Sequence, residues 1–332
     1  MKNVIFILTA LLIFPSCKQN NNSNNTKMTD LTSKNYVEKM LNNIKHYNYE
    51  PMYYLTFRQN SCFSEILVND IPVNKNFKRE SEGKTLDINN YIFKSGIQKV
   101  TFRLYPAGKI GITDFSTLVS DTEMNIEITE SDNDKREQEG KKTISYTTPL
   151  TTTINPYGYS MSKFEATGKT YYEASFTFNA TVPYEFDSLS KGMDLRKQDP
   201  RTLERKVIAF YKNQWEIINN KKADNYFSYL FLKEKESCQS LFYRRTDLEE
   251  NLNSYLEPFT IESYKLEPLE NYQMVFYGDG KIVCLELSSL DSKLRGKSAL
   301  WGKYNEDNST IGDFIKYYLY IPEGKSELEI LR

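Results

Sequence analysis

Between Met52 and Val182 the sequence alternates apolar and polar residues with a period of two, in short runs. This pattern constrains the fold more than any other feature of the chain, because a period of two sorts side chains onto the two faces of a strand. Tyr54 to Phe57, Cys62 to Val68, Leu86 to Asn89, Lys99 to Tyr105, Met124 to Thr129, Ile144 to Thr147 and Tyr172 to Val182 each read as a strand. In the fifth, Met124, Ile126 and Ile128 point one way while Asn125, Glu127 and Thr129 point the other, as in a half-buried antiparallel strand. Seven such runs, separated by turns such as Glu82-Gly83 and Ser95-Gly96, predict an antiparallel β-sandwich. The mean hydropathy is only −0.60, so 25 Tyr and 19 Phe must supply much of the core, and strands accept aromatics well.

The pattern changes after a polar stretch, Asp187 to Asp199, which marks a domain boundary. Asp199-Pro200 opens a helix, with Asp as N-cap and Pro in the first turn, where its missing N–H costs nothing. Leu203, Val207, Phe210, Tyr211, Trp215 and Ile218 form its apolar face, and Ala223, Tyr226, Phe227, Leu230 and Phe231 mark a second helical piece. Strands are expected at Phe259–Leu266, Tyr272–Tyr277, Ile282–Leu287, Ala299–Tyr304 and Phe314–Ile321, with Gly278-Asp279-Gly280 as a hairpin turn. Helices first and then a meander is an α+β order.

Two resemblances follow from these segments. The run Ile66 to Val73, then Leu86 to Ile92, then Lys94 to Phe102 resembles galactose-binding-like β-sandwiches over about forty residues. Phe210-Tyr-Lys-Asn-Gln-Trp-Glu-Ile-Ile-Asn-Asn-Lys-Lys-Ala-Asp224, followed by a Tyr/Phe helix and hairpins, resembles the nuclear-transport-factor-2-like or cystatin-like cone. That resemblance implies a curved antiparallel sheet wrapped on helices, often around a pocket, and by itself no function.

At the other end of the chain, Lys2 precedes an apolar run from Val4 to Phe14 and then Pro15-Ser16-Cys17. As a helix the run spans about 16 Å, against roughly 30 Å of bilayer core, so it reads as a cleaved secretory signal. It resembles a bacterial lipoprotein signal, with Ser16 before the cut and Cys17 as the acylated residue; Phe14 and Pro15 depart from the usual pattern. The resemblance implies a lipid anchor, and Lys18 in place of Asp implies an outer membrane. Lys18 to Thr26 has nothing apolar to bury and reads as a solvated tether. The resulting expectation is an α+β protein in four parts: residues 1–16 a signal peptide, 17–32 an acylated N-terminus and disordered tether, 33–190 a short helix plus β-sandwich, and 195–332 a helix-plus-curved-sheet cone. Val37, Met40, Leu41 and Ile44 give the short helix its apolar stripe.

Chemistry is scarce. Lys+Arg (43) and Asp+Glu (44) balance, which argues against nucleic-acid binding, since that needs a basic stripe. The single histidine, His46, sits in the short helix by this reading, leaving no His-based triad. No Gly-x-Ser-x-Gly elbow or phosphate loop occurs, and the Asp132/Asp134 stretch fails the calcium-loop spacing at Arg136. Cys62, Cys238 and Cys284 make no metal-binding spacing and read as buried thiols, with a Cys238–Cys284 bridge as the alternative. Neither a cofactor nor a metal is expected. Among the acids Asp70, Glu127, Glu173 and Glu286, only Glu286 alternates with Ile282 and Cys284 on a strand that would line the cone. With Trp301, Tyr304, Tyr318 and Tyr320 it makes the candidate pocket. The reading is a non-catalytic, membrane-anchored envelope lipoprotein with a protein or glycan partner. The alternatives are a small-ligand binder or enzyme using the cone pocket, and an inhibitor or immunity-type lipoprotein.

Overall fold

The computed structural model describes residues 29–77, 81–110, 112–135 and 140–332. The expected signal peptide, Cys17 and the tether up to residue 28 lie outside the described residues. The class is α+β with antiparallel sheets. After α1 (Tyr36–Leu41) come β1 (Pro51–Asn60), β2 (Cys62–Val68), β3 (Ile71–Asn76), β4 (Ser81–Asp87), β5 (Gly96–Pro106), β6 (Gly108–Ile110) and β7 (Thr113–Phe115). The first half closes with β8 (Glu123–Asp132), β9 (Lys141–Thr147), β10 (Leu150–Ile154), β11 (Ser160–Phe164) and β12 (Tyr172–Ala180). Six of the seven expected strands are present, and the seventh, Leu86–Asn89, is strand only at Leu86–Asp87, the end of β4, because Asn89 opens a 3-10 turn.

With β3 they form two four-stranded sheets, β4-β1-β8-β9 and β12-β5-β2-β3. Tyr53, Leu55 and Phe57 of β1 and Met124, Ile126 and Ile128 of β8 share one buried cluster with Ile66 of β2 and Val100, Phe102 and Leu104 of β5. One face of each sheet thus excludes water, which is what the alternation encoded. The strand β3, the hairpin β6–β7 and the hairpin β10–β11 were not foreseen, since Thr151, Thr152, Thr153, Ser160 and Ser162 show no apolar alternation.

The second half contains α2 (Pro200–Asn219), α3 (Ala223–Phe227), α4 (Phe231–Ser240) and α5 (Arg245–Thr260), then β13 (Lys265–Leu266), β14 (Tyr272–Tyr277) and β15 (Ile282–Leu287). It ends with β16 (Trp301–Glu306), β17 (Ser309–Phe314), β18 (Leu319–Tyr320) and β19 (Glu329–Ile330). The Asp199 carboxylate accepts from the Thr202 backbone N–H and Pro200 takes the first turn, as expected. Two small sheets, β14-β15-β18-β19 and β13-β16-β17, pack with α2: Val207, Tyr211 and Ile218 join Val283, Leu285 and Leu287 of β15 in one cluster.

Three expectations are corrected. The strand expected from Phe259 is the end of α5, because Leu248, Leu252, Leu256 and Phe259 fall at helical spacing and pack together; only Lys265–Leu266 pairs as strand. The short helix was grouped with the sandwich, yet Tyr36 and Met40 are buried in the C-terminal cluster. Its stripe docks there because the Tyr36 hydroxyl reaches Glu234 of α4 at 2.6 Å. The helix also ends at Leu41, so His46 lies beyond it, where its Nδ1 sits 2.8 Å from the buried carboxylate of Glu50. Finally, the tether does not extend to residue 32. Leu31 is fully buried, and the Thr29 amide and hydroxyl both donate to the Ser228 carbonyl at 3.3 and 2.8 Å.

Helix α4 binds these parts together with polar groups. Its buried residues include Glu234, Glu236, Cys238, Gln239 and Ser240. Gln239 clamps the backbone of Lys45 with both amide atoms, Ser240 donates to Asn90, and Glu236 accepts from Ser188 and Arg332. Glu234 takes hydrogen bonds from Tyr36, Tyr255 and Asn251. Burial pushes its pKa up, but the Lys233 ammonium and the two phenols outweigh that and hold it below the usual range. Buried polar groups are tolerated only when satisfied in this way.

Candidate functional site

The two halves meet at hairpin tips. The Asn69–Asp70 turn between β2 and β3 accepts the Gly278 and Asp279 amides of the β14–β15 turn at 3.0 and 2.7 Å. Gly278, Asp279 and Gly280 all have positive φ, the geometry the Gly-Asp-Gly sequence implied. Behind the turns, Leu67, Ile71 and Phe93 pack against Tyr277, Ile282, Cys284 and Tyr318.

β15 therefore has two dry faces. Val283, Leu285 and Leu287 face the helices, and Ile282 and Cys284 face the first half of the chain. Glu286 shares a face with Ile282 and Cys284, as expected, but that face is the junction and not the interior of the helix-backed sheet. The carboxylate is 5 % exposed, accepts from the Tyr277 hydroxyl at 3.0 Å and sits 2.5 Å from the Lys75 ammonium of β3. Lys75 also faces Glu65 at 3.4 Å, and Glu65 lies 3.6 Å from Arg103.

A cavity of about 260 Å3 opens beside this pair. Its walls are Pro72 to Lys75 of β3, Lys84 of β4, Tyr211 of α2, Cys284 to Glu286 of β15, the Gly296–Ser298 segment, and Phe314, Lys316 and Tyr317. Four lysines line it: Lys75, Lys84, Lys297 and Lys316. Glu286 is the only acid in the lining, and Lys75 neutralises it. Among the described residues no carboxylate comes within 4 Å of the Lys84, Lys297 or Lys316 ammonium. Lys316 instead donates to the Pro72 carbonyl at 3.2 Å and lies 4.3 Å over the Tyr318 ring. Lys316 is exposed in the open cleft; the crowded walls, with Lys75 and Lys297, still lower its pKa below the usual lysine range against the pull of Cys284 and Glu286, and water screens the effect. Lys297 is lowered for the same reasons, loss of water first and repulsion from Lys84 second. Lys84, Lys297 and Lys316 are solvent-exposed, and Lys75 is the largely buried, paired one of the four.

The residues expected to share a pocket do not converge. Glu286 and Tyr318 meet at the junction through Tyr277, whose ring lies edge-on to Tyr318 at 5.9 Å. Tyr320 joins the same apolar cluster. Trp301 stacks on Phe314 at 5.2 Å and Tyr304 on Tyr264 at 6.1 Å, both on the β16 sheet. The other acids serve separate partners: Asp70 the Asp279 amide, Glu127 Lys142, and Glu173 Arg103. Cys62, Cys238 and Cys284 are free and buried, and burial pushes the Cys62 thiol up to about 12. Among the described residues no His, Cys, Asp and Glu cluster has metal-binding geometry, and no helix is long and apolar enough to cross a membrane.

Sequence reasoning missed the lysines because nothing local joins them. Lys75, Lys84, Lys297 and Lys316 come from four segments spread over both halves, and each alone reads as a solvated surface charge. Compared with protein-family models, curated proteins and solved structures, the chain matches none.

Proposed function

We propose that this chain is a lipid-anchored cell-envelope protein that binds a small anionic ligand, without catalysis, in the cleft between a β-sandwich domain and a cone-like α+β domain. In this reading residues 1–16 are removed as a signal peptide, Cys17 carries the acyl chains, and the address is the outer membrane. The domains lie on either side of the Asp187–Asp199 stretch, with α1 belonging to the second. The observation that carries the function is the set of three cleft lysines with no carboxylate in reach beside a fourth that is already paired. An unpaired cation in a cleft is repelled by its neighbours until an anion arrives, so the site is poised to take one.

Equilibrium dialysis with inorganic phosphate and pyrophosphate tests it. Binding should saturate, weaken steeply with added salt, and drop about tenfold or more in Lys84→Met/Lys297→Met, given the strength of charge-assisted hydrogen bonds. Non-saturating binding, or an unchanged affinity in the double variant, would reject the assignment. Cys17→Ser tests the address: the variant should lose lipid labelling and leave the membrane fraction.

A further inference from the structure

A second cavity, about 300 Å3, lies across the Phe314–Tyr317 segment from the lysine cleft, and Phe314, Lys316 and Tyr317 belong to both walls. Its size is at the small end of the roughly 300–1,000 Å3 of ligand sites. Its chemistry differs from the cleft's. Tyr91 and Tyr255 present aromatic surface, with the buried Tyr226, Tyr317 and Tyr318 behind them, and Ser237, Ser254 and Asn90 add neutral hydrogen-bonding groups.

Most charged groups of this chamber have a partner, although Nη2 of Arg332 is buried without a hydrogen bond and Asp313 has a phenol and no cation beside it. Lys233 lies 3.2 Å from Glu234, Arg332 lies 2.7 Å from Glu236, and Asp313 accepts from the Tyr264 hydroxyl at 2.8 Å. Only Lys316, at the border with the lysine cleft, faces it with no carboxylate in reach. Pro258, inside α5, has no N–H to give the Ser254 carbonyl four residues earlier, and both residues line the chamber. A proline there costs helix stability, and here it leaves an α-helical bond unmade at the chamber wall.

Aromatic faces combined with neutral donors and acceptors suit a ring that is apolar on its faces and hydroxylated at its edge. A purely apolar ligand would make no use of the neutral polar groups of Ser237, Ser254 and Asn90. We infer that the ligand is an acidic saccharide, with a sugar ring in the tyrosine chamber and its carboxylate or phosphate substituent on Lys316 and the neighbouring cleft lysines. This rests on the anion-binding reading above and adds the class of molecule that bears the anion.

The test is a binding panel on the full chain. It pairs uronate-, sialate- and phosphate-bearing oligosaccharides with their neutral counterparts, and includes inorganic phosphate alone. At least one acidic glycan should bind about tenfold or more tighter than both its neutral counterpart and phosphate, each lacking half of the contacts. Ser254→Trp, which fills the chamber from an exposed helix position, should remove that advantage and leave phosphate binding intact; circular dichroism confirms that it folds. If phosphate binds as tightly as every acidic glycan, or if Ser254→Trp binds glycan unchanged, the saccharide assignment falls while the anion site stands. If neither phosphate nor any acidic glycan binds, both fall.

Discussion

Replacing Lys75 by methionine should destabilise the protein by about 3–5 kcal/mol, the usual consequence of stranding one member of a buried ion pair. The side chains of Lys75 and Glu286 are 11 % and 7 % exposed, and the ammonium lies 2.5 Å from the carboxylate. Methionine keeps most of the aliphatic stem and removes the charge. Glu286 would keep the Tyr277 hydroxyl at 3.0 Å and the Cys284 thiol at 3.8 Å, neither of which offsets a full negative charge away from water. Glu286→Gln should be milder, about 1–3 kcal/mol, because an amide oxygen still accepts hydrogen bonds and Lys75 keeps Glu65 at 3.4 Å. The double variant Lys75→Met/Glu286→Gln has no stranded charge and should be more stable than Lys75→Met alone by about 1–3 kcal/mol, the mark of two coupled sites. Urea unfolding followed by far-UV circular dichroism measures all three. A Lys75→Met variant within about 1 kcal/mol of the parent would refute the reasoning, as would a double variant no more stable than the single, since stranded charge is the stated cause.

Three further outcomes follow from the structure. Deleting residues 18–30, which a wholly solvated tether would tolerate, should lower the melting temperature, because Thr29 bonds to Ser228; Leu31→Ala should cost about 2–5 kcal/mol by chemical denaturation. Folding lowers the pKa of Lys316, so on the alkaline side the unfolded chain holds more protons and this group's contribution to stability rises with pH, by an amount that its exposure keeps small. The stability of the parent relative to Lys316→Met should therefore climb slightly as the pH rises toward about 10.4, the unfolded value, while phosphate affinity falls, and a difference that decreases with pH would contradict the assignment. Gly302→Ala should cost about 1–3 kcal/mol in thermal unfolding, since a β-carbon there would lie 2.7 Å from the Tyr264 ring, whose hydroxyl is held by Asp313.

The sequence by itself determined the regular parts of this protein. Alternation at Met124, Ile126 and Ile128 specified a half-buried strand, Asp199-Pro200 a helix start, and Gly278-Asp279-Gly280 a tight turn, because each depends on geometry within a few residues. It also put Glu286 on the same face as Ile282 and Cys284. It did not say what that face meets. A strand with two apolar faces leaves its neighbours open, and only the docking of β3 against β15 made the junction, paired Glu286 with Lys75 and gathered lysines from four segments into one cleft. Helix α4 was illegible for a related reason: its buried face is polar, and Glu234, Glu236 and Gln239 find partners 17 to 198 residues away. Hydrophobic periodicity reports what must leave water. Where a buried charge finds its partner is decided by tertiary contact, and the candidate site of this protein is built almost wholly from such contacts.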